Sequence, residues 1–477
     1  MIRTGQEYLA SLRENPPHIL FQGERVQDPT THPQFRGVAR SMAALYDMQR
    51  ERVDELTFQR DGERFAASHL RPESLDELRF RGRAYKVWAD AHLGFMGRTP
   101  DYLNAVLMAC AASASFFGDR AQAVRDYAAY VAKHDLATTH ALTNPQVNRA
   151  LGPGQLPDPF LAVGVVRETD RGIVVRGARM TATFPLAEEL LVFPSTLLKA
   201  GEGNEPYALA FAVSTRTPGL LFVCREGLAG ENRFDHPLAS RFEEMDALVV
   251  FDDVEVPWER VFVYRDVERC NALFAETGAL CHMAHQVVVL KTAKTETFLG
   301  LACAMAEAIG ADGFPHVQEK IAEIIVALEG MRAFWTRAEV EAKENRYGLL
   351  VPDRAALDGA RNLYPRLYPR LREILQLLGA SGLVTLPSEK DFASEAAAYL
   401  ERFLQGKGVS GKDRVALFRL AWDATLSGFG ARQEIYERFF FGDPVRMHQT
   451  LFQVYPKAPY VERVRRFLEQ SHEAAGV

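Results

Sequence analysis

Cysteine is scarce in this sequence, with five among 477 residues, and the five are scattered and odd in number. Such a set does not suit a disulfide framework, so we expect free thiols and a reducing cytoplasm. Long apolar runs are also missing, because the longest, residues 105–117, is broken by Ser113 and Ser115. It is too short to span a bilayer and predicts a buried helix. No apolar run follows Arg3, so we expect no signal peptide.

Clusters of positive charge are absent as well. The chain has no basic stripe or basic tail and carries a net charge of -6, so we expect no nucleic-acid partner. Its content of 47% hydrophobic and 25% charged residues is typical of a soluble globular protein. A length of 477 residues exceeds one ordinary core, which predicts two or three domains.

Several enzyme motifs are missing or incomplete. No G-x-G-x-x-G follows a predicted strand, so any flavin must be held without a Rossmann site. A G-x-S-x-G nucleophile elbow is also absent. Residues 406–413 resemble a phosphate-binding loop, but Asp413 stands where Ser or Thr should hold Mg²⁺. His282 and His285, three residues apart on a predicted helix, are too few ligands, and we predict no metal site.

The period of the apolar residues changes twice along the chain. Residues 1–136 and 265–477 follow a helical period, whereas residues 137–264 form short β-rich runs separated by turn residues. We therefore predict an α+β fold with an N-terminal α-helical domain, a middle antiparallel β-barrel or sandwich, and a C-terminal four-helix bundle. The Pro- and Gly-containing residues 144–159 predict a long irregular loop at the first boundary.

Individual elements follow from the same patterns. The predicted strands are residues 160–167, 172–180, 189–193, 207–214, 219–225 and 247–256. The predicted C-terminal helices are residues 267–309 (one helix or two), 316–345, 354–378, 392–405 and 412–439.

Three side chains near predicted element ends could carry chemistry. Thr99 is predicted to be the N-cap and Pro100 the first residue of a helix, which places free amides and a positive dipole end beside Arg98 and Tyr102. A guanidinium and a phenol hydroxyl at such a place can stabilise an oxyanion. His140 could shuttle a proton near neutral pH. On the pattern alone, purely structural roles remain open for all three.

Four segments, in order along the chain, carry a resemblance to a known family. They are Gly97-Arg98-Thr99-Pro100-Asp101-Tyr102, His140 with Asn144-Pro145-Gln146-Val147-Asn148-Arg149, Phe193-Pro194-Ser195-Thr196, and Gly442-Asp443-Pro444-Val445-Arg446. Together they resemble the oxygenase component of 4-hydroxyphenylacetate 3-monooxygenases, a family of two-component flavin-dependent aromatic hydroxylases. Residues 251–261 resemble a segment of the wider acyl-CoA dehydrogenase superfamily, which implies an acyl-CoA dehydrogenase-like fold.

The resemblance implies hydroxylation of a phenolic acid, above all 4-hydroxyphenylacetate to 3,4-dihydroxyphenylacetate. It implies O2 as co-substrate and FAD as a diffusible cofactor, delivered as FADH2 by a separate NAD(P)H:flavin reductase and reacting through a flavin C4a-hydroperoxide. Such a site must exclude water so that the peroxide is not lost as H2O2. The family also implies a homotetramer.

The resemblance assigns roles to particular positions. Arg98, Tyr102 and His140 would be catalytic and would surround the phenol oxygen, while Ser195 and Thr196 would bind the substrate carboxylate. The residues implied to contact the flavin are His140, Gln146, Val147, Asn148, Arg149, Thr183, Gly442, Asp443, Pro444 and Val445.

Other functions remain open at this point. The substrate could be another phenol, such as a chlorophenol or nitrophenol. A radical dehydratase of the same superfamily would need cysteine ligands for an iron–sulfur cluster, and here no cysteine precedes Cys110. An acyl-CoA dehydrogenase would hold FAD tightly and use a glutamate base, for which Glu296 and Glu319 are candidates. A non-enzymatic helical scaffold with a decayed flavin site is the remaining alternative.

Overall fold

The structure is a computed structural model that describes residues 2–194, 198–201 and 203–474. Its α-helices are α1 (Gly5–Glu14), α2 (Arg36–Glu51), α3 (Val53–Leu56), α4 (Leu75–Ala91), α5 (Pro100–Ala112), α6 (Ala121–His134), α7 (Ala239–Phe242), α8 (Val267–Glu276), α9 (Ala279–Ala308), α10 (Pro315–Val340), α11 (Arg354–Gly379), α12 (Ala397–Phe403), α13 (Gly411–Thr425), α14 (Gly428–Phe439), α15 (Pro444–Val454) and α16 (Ala458–Ala474). Its strands are β1 (Ile19–Phe21), β2 (Glu24–Arg25), β3 (Thr57–Arg60), β4 (Glu63–Ala66), β5 (Thr138–Ala141), β6 (Gly164–Thr169), β7 (Gly172–Thr183), β8 (Glu189–Val192), β9 (Leu209–Ser214), β10 (Leu220–Cys224), β11 (Asp246–Pro257), β12 (Val261–Tyr264), β13 (Lys343–Glu344) and β14 (Leu350–Val351).

The strands in the middle of the chain belong to two sheets. The larger has the strand order β2-β1-β10-β11-β7-β6, and the smaller has the order β12-β9-β8-β5. The antiparallel pairing expected for residues 137–264 was wrong for β5 and β8, which pair in parallel, and β1, from outside that segment, joins β10 in parallel as well. Both exceptions involve strands that follow a helix and join the sheet from outside the run of hairpins, which local alternation does not reveal.

Strands also occur in the first segment, which was expected to be helical. β1 and β2 extend the larger sheet, and β3 pairs with β4 as a hairpin. One hydrophobic core includes Tyr46 of α2, Phe222 of β10 and Phe298 of α9, so all three predicted segments share it. The three predicted domains, residues 1–136, 137–264 and 265–477, therefore remain a prediction from the sequence, because one buried core is continuous across their boundaries.

Helix α9 is the central element of the C-terminal part. It packs against α4, α5, α10 and α11, and the apolar stretch around Val287–Leu290 is buried. A helical stretch that is apolar on all sides is expected to be surrounded in this way. The pattern at 267–309 proves to be two helices, because Gly278 adopts a positive φ of 77° between α8 and α9. Glycine takes this left-handed conformation without the steric cost of a Cβ.

The other long helical patterns are confirmed in part. α10 and α11 match two of the predicted helices closely, and they pack on each other and on α9. The predicted helix at 412–439 was wrong as a single element, because it divides into α13 and α14 at Ser427, whose side chain caps α14. Such a serine competes for backbone amides and begins a new helix. The long loop predicted at 144–159 is confirmed, interrupted by one short 3-10 turn.

No single helix in the described ranges is long and apolar enough to cross a bilayer, although α8 and α9 taken together, bent by 47°, satisfy the length and composition criteria.

Candidate active site

Helix α5 begins at a turn that a distant carboxylate holds in place. Thr99 is the N-cap and Pro100 is the first helical residue, as the sequence predicts. The backbone amides of Gly97 and Arg98 donate to Oε2 and Oε1 of Glu244 at 2.8 and 2.6 Å. Glu244 lies two residues before β11 and is buried. Two charge-assisted hydrogen bonds to consecutive amides fix the backbone from which the Arg98 side chain leaves.

Arg98 itself is buried, and only some of its hydrogen-bond donors have partners. Its Nη1 donates to the carbonyl of Gly97 at 2.9 Å and to the hydroxyl of Tyr436 at 3.0 Å. Its Nε is buried and has no hydrogen-bond partner among the described residues. The guanidinium carbon lies 4.8 Å from the centre of the Tyr102 ring and 5.2 Å from that of Phe440. A buried cation with a free donor and aromatic walls is suited to bind an oxyanion.

Tyr102 links Arg98 to His140. The rings of Tyr102 and His140 meet edge to face with their centres 5.6 Å apart. The Tyr102 hydroxyl donates to the sulfur of Met283 on α9 at 3.0 Å. His140 is placed by β5, and its buried Nδ1 has no partner within the ranges that the structure describes. The structure thus brings together the three side chains that the sequence singled out, while their chemical roles stay predictions.

The protonation states in this cluster follow from burial. Burial, and secondly the charge of Arg98, hold the pKa of His140 well below its usual value, so the imidazole is neutral at physiological pH. Burial also raises the pKa of Tyr102, partly opposed by Arg98, so its hydroxyl keeps its proton. One permanent cation therefore faces two neutral groups that can exchange hydrogen bonds with a phenol.

Replacing His140 with glutamine should make folding less sensitive to acid. The unfolded histidine takes up a proton below its usual pKa, whereas the depressed pKa in the fold prevents this. The contribution of His140 to the free energy of unfolding is therefore fully present above pH about 6.5. It falls as the pH decreases, by about 1.4 kcal/mol between about pH 7.5 and about 5.5. Urea unfolding at the two pH values measures this difference, which His140→Gln should lack. His134→Gln, at an exposed position, is the control, and equal pH dependence in both variants would contradict the prediction.

Thr183, a predicted flavin contact, lies at the end of β7 beside this cluster. Its backbone carbonyl accepts from the hydroxyl of Thr139, the neighbour of His140. Its own hydroxyl donates to Oδ1 of Asp246 at 2.9 Å, and Arg432 forms two further hydrogen bonds to Asp246, of 2.6 and 3.0 Å. Burial alone would raise the pKa of Asp246, but Arg432 and then Arg225 hold it below its usual range. The Thr183 oxygen remains able to accept a hydrogen bond.

The other predicted flavin residues lie on two surface segments. Gln146–Arg149 are exposed within the long loop, where Arg149 Nε donates to Oε1 of Gln146 at 2.6 Å. Gly442 has a φ of 108° and precedes α15, which Asp443 caps and Pro444 begins. The structure joins this second segment to the cluster through Phe440, whose ring centre lies 5.8 Å from that of Tyr102.

A cavity of about 430 Å³ adjoins the second segment. It lies between α11 and α15, and Pro444 and Val445 form part of its wall. Its remaining lining residues are Asn362, Pro365, Arg366, Met447, His448 and Gln449. The predicted carboxylate-binding residues Ser195 and Thr196 lie outside the described residues.

Several residues of the site were missed by the sequence analysis. Glu244 and Tyr436 contact Arg98 from 146 and 338 positions away, Arg432 stacks on the Tyr436 ring and binds Asp246, and no local pattern marks these three residues. One signal was available for Lys291 and Lys294, because both closely follow the apolar run Val287–Leu290 of α9. They are almost fully buried and donate to the same carboxylate, that of Glu437, at 2.8 and 2.5 Å.

Two family models match the chain. The model described as 4-hydroxyphenylacetate 3-hydroxylase N terminal matches residues 4–263, and the model described as 4-hydroxyphenylacetate 3-hydroxylase C terminal matches residues 270–469. Together they extend over nearly the whole sequence.

Proteins of known name and structure are similar over the same length. The 4-hydroxyphenylacetate 3-monooxygenase oxygenase component of Thermus thermophilus is 68% identical over 474 residues, covering 99% of this chain and 98% of that protein. A crystal structure of the oxygenase component of 4-hydroxyphenylacetate 3-monooxygenase, complexed with FAD and 4-hydroxyphenylacetate, has a TM-score of 0.97 and 67% identity over 99% of each chain. A 4-hydroxybutyryl-CoA dehydratase from N. maritimus, at 21% identity over 98% of this chain and 95% of its own, has a TM-score of 0.89, which shows likeness of fold alone. With both family domains matched in order and a relative at this level of identity, the chain belongs to the 4-hydroxyphenylacetate 3-hydroxylase family.

Proposed function

We propose that this chain is a reduced-flavin-dependent monooxygenase, the oxygenase component that converts 4-hydroxyphenylacetate and O2 to 3,4-dihydroxyphenylacetate. The observation that carries the proposal is the buried cluster of Arg98, Tyr102 and His140 in a chain 68% identical to an oxygenase component of that name. The crystal structure of a 67% identical protein, complexed with FAD and 4-hydroxyphenylacetate, supports the same substrate and cofactor for this chain.

The chain's own residues would activate the phenol. Arg98 Nε and His140 Nδ1 are buried polar atoms without partners in the described parts of the chain, and such atoms are costly unless a ligand satisfies them. A phenol oxygen between them would accept from Arg98 and donate its proton toward neutral His140. As the proton moves, the permanent charge of Arg98 stabilises the phenolate, and the ring becomes richer in electrons at its ortho carbon. Tyr102 would orient the ring by edge-to-face contact and hydrogen bonding.

The residues present also fit a flavin. Gln146, Asn148 and Arg149 offer exposed amide and guanidinium groups, and the Gly442 backbone leaves room for close approach. When bound, reduced FAD supplies the electrons for O2 activation. Arg98, Tyr102 and Phe440 form a packed wall on the protein side and would exclude water from the reacting oxygen. Ser195 and Thr196 are proposed to bind the substrate carboxylate.

The wider arrangement is proposed on separate grounds. An oxygenase component requires a reductase that delivers FADH2. α16 exposes Tyr460, Val461, Val464 and Leu468, a helical spacing that places them on one face. We propose that further copies of this chain cover that face in a homotetramer, and that the site of action is the cytoplasm.

At the level of architecture, we propose an acyl-CoA dehydrogenase-like fold in which α9, α10, α11 and the α13–α14 pair form the four-helix bundle.

Product analysis tests the proposed function directly. The full-length protein, given chemically reduced FAD, O2 and 4-hydroxyphenylacetate, should form 3,4-dihydroxyphenylacetate in excess over H2O2. Phenol, 4-nitrophenol and a chlorophenol form the comparison panel, and a carboxylate-specific site should favour 4-hydroxyphenylacetate. Formation of H2O2 without any catechol from the whole panel would contradict the proposal. Reduction of a tightly bound yellow flavin by an acyl-CoA would favour a dehydrogenase instead.

A further inference from the structure

Tyr436 of α14 makes an unusually close approach to the start of α5. A Cβ atom built on Gly97 would overlap the hydroxyl oxygen of Tyr436. Only glycine at position 97 therefore allows this hydroxyl to reach the backbone next to Arg98. The approach joins a helix near the C-terminal end of the chain to a turn that precedes it by more than three hundred residues.

The ring of Tyr436 is held by cations on several sides. The guanidinium carbon of Arg432 lies 4.5 Å from the ring centre, Lys291 Nζ lies 5.2 Å away, and Arg98 lies 5.9 Å away. Two of these groups are anchored by a carboxylate, Arg432 by Asp246 and Lys291 by Glu437. Cations stacked on an aromatic face and anchored elsewhere restrict the ring to one position.

The hydroxyl of Tyr436 determines which donors of Arg98 are occupied. Together with the Gly97 carbonyl, it takes the hydrogen bonds of Nη1. Nε is left buried and unsatisfied in the part of the chain that the structure describes. A guanidinium has a planar fork with fixed donor directions, so holding one arm aims the other donors.

We propose that Tyr436 is a positioning residue for Arg98, whose hydroxyl holds the guanidinium so that its free edge meets the phenol oxygen of the substrate. This inference deepens the proposed function and rests on it for the identity of the ligand. Tyr436 does not touch the reacting atoms and acts through Arg98.

The test compares Tyr436→Phe with Tyr368→Phe. The first variant keeps the ring and removes the hydroxyl that accepts from Arg98. The second removes another buried hydroxyl, that of Tyr368 on α11, which has no hydrogen-bond partner among the described residues. Both changes are close to isosteric. Gly97→Ala is a further variant that displaces the Tyr436 hydroxyl without deleting it.

4-Nitrophenol is the probe, because its phenolate and phenol forms differ in absorbance. Titration of the full-length protein without flavin gives the dissociation constant and the fraction of bound probe that is phenolate at a fixed pH. Tyr436→Phe should weaken binding about threefold to tenfold, the effect of one hydrogen bond, and lower the phenolate fraction. Gly97→Ala should change the dissociation constant and the phenolate fraction in the same direction. Tyr368→Phe should match the wild type in both quantities. With reduced FAD and O2, Tyr436→Phe should also shift product from catechol to H2O2.

The outcomes separate this inference from the proposed function. The role of Tyr436 would be overturned if the folded variants Tyr436→Phe and Gly97→Ala bind the probe as tightly as the wild type and with the same phenolate fraction. This holds even if the wild type forms catechol. Equal losses in Tyr436→Phe and Tyr368→Phe would also overturn it, because any buried hydroxyl would then serve. A wild type that forms no catechol, but whose probe spectrum still depends on Tyr436, would refute the proposed reaction and leave the positioning of Arg98 supported.

Discussion

Replacement of Arg98 by alanine is expected to lower catechol formation about 10²- to 10³-fold, the usual cost of removing a preorganised donor at a developing oxyanion. The alanine variant loses both the permanent charge and the free Nε donor, while the turn before α5 remains held by Glu244 through backbone amides. Coupled product formation with supplied FADH2 measures the effect. Binding of reduced flavin should change little, because the proposed flavin residues lie on other segments.

Arg98→Lys separates the charge from the geometry. Lysine retains a cation but lacks the planar fork, so it cannot hold Tyr436 and a phenol oxygen in the same directions. We expect its activity to lie between that of alanine and the wild type, with more oxygen lost as H2O2. Normal coupled turnover in both variants would remove Arg98 from the mechanism.

Replacement of Glu437 by glutamine is expected to destabilise the fold by about 3–5 kcal/mol, the typical cost of removing one partner from a buried ion pair. Lys291 and Lys294 both donate to this carboxylate, and all three side chains are almost fully buried. Without Glu437 two neighbouring cations face each other in a site with little water. Thermal and urea unfolding measure the loss.

The loss should depend on pH. Burial, opposed by Glu437, lowers the pKa of Lys291 to about 7, and removal of Glu437 lowers it further. The unfolded lysine keeps its proton up to a much higher pH, so the variant gains stability with rising pH from this further lowered pKa onward, whereas the wild type gains it only above pH about 7. The defect should therefore be largest below pH about 7. A variant with Lys291→Met, Lys294→Leu and Glu437→Leu together should be close to the wild type in stability. A Glu437→Gln variant as stable as the wild type at pH about 6 would contradict this account.

Parts of the site follow from local sequence alone. Thr99-Pro100 predicts the start of α5, and hence the place of Arg98 and Tyr102 at its first turn. The β-rich runs at 172–180 and 247–256 predict β7 and β11 nearly to their ends. The grouping of Arg98, Tyr102 and His140 came from family resemblance rather than from any pattern, and the structure places these three in contact.

The sequence by itself determined the order of helical and β-rich segments, several element ends and the chemical nature of the candidate residues, because apolar period and capping act over a few neighbouring residues. Tertiary structure alone decided that Glu244 holds the turn at Arg98 from 146 positions away and that Tyr436 reaches it from 338 positions away. It also decided the parallel pairing of β5 with β8 and the division of α8 from α9. Contacts of this kind depend on which surfaces meet after the chain has folded, and no short stretch of sequence encodes them.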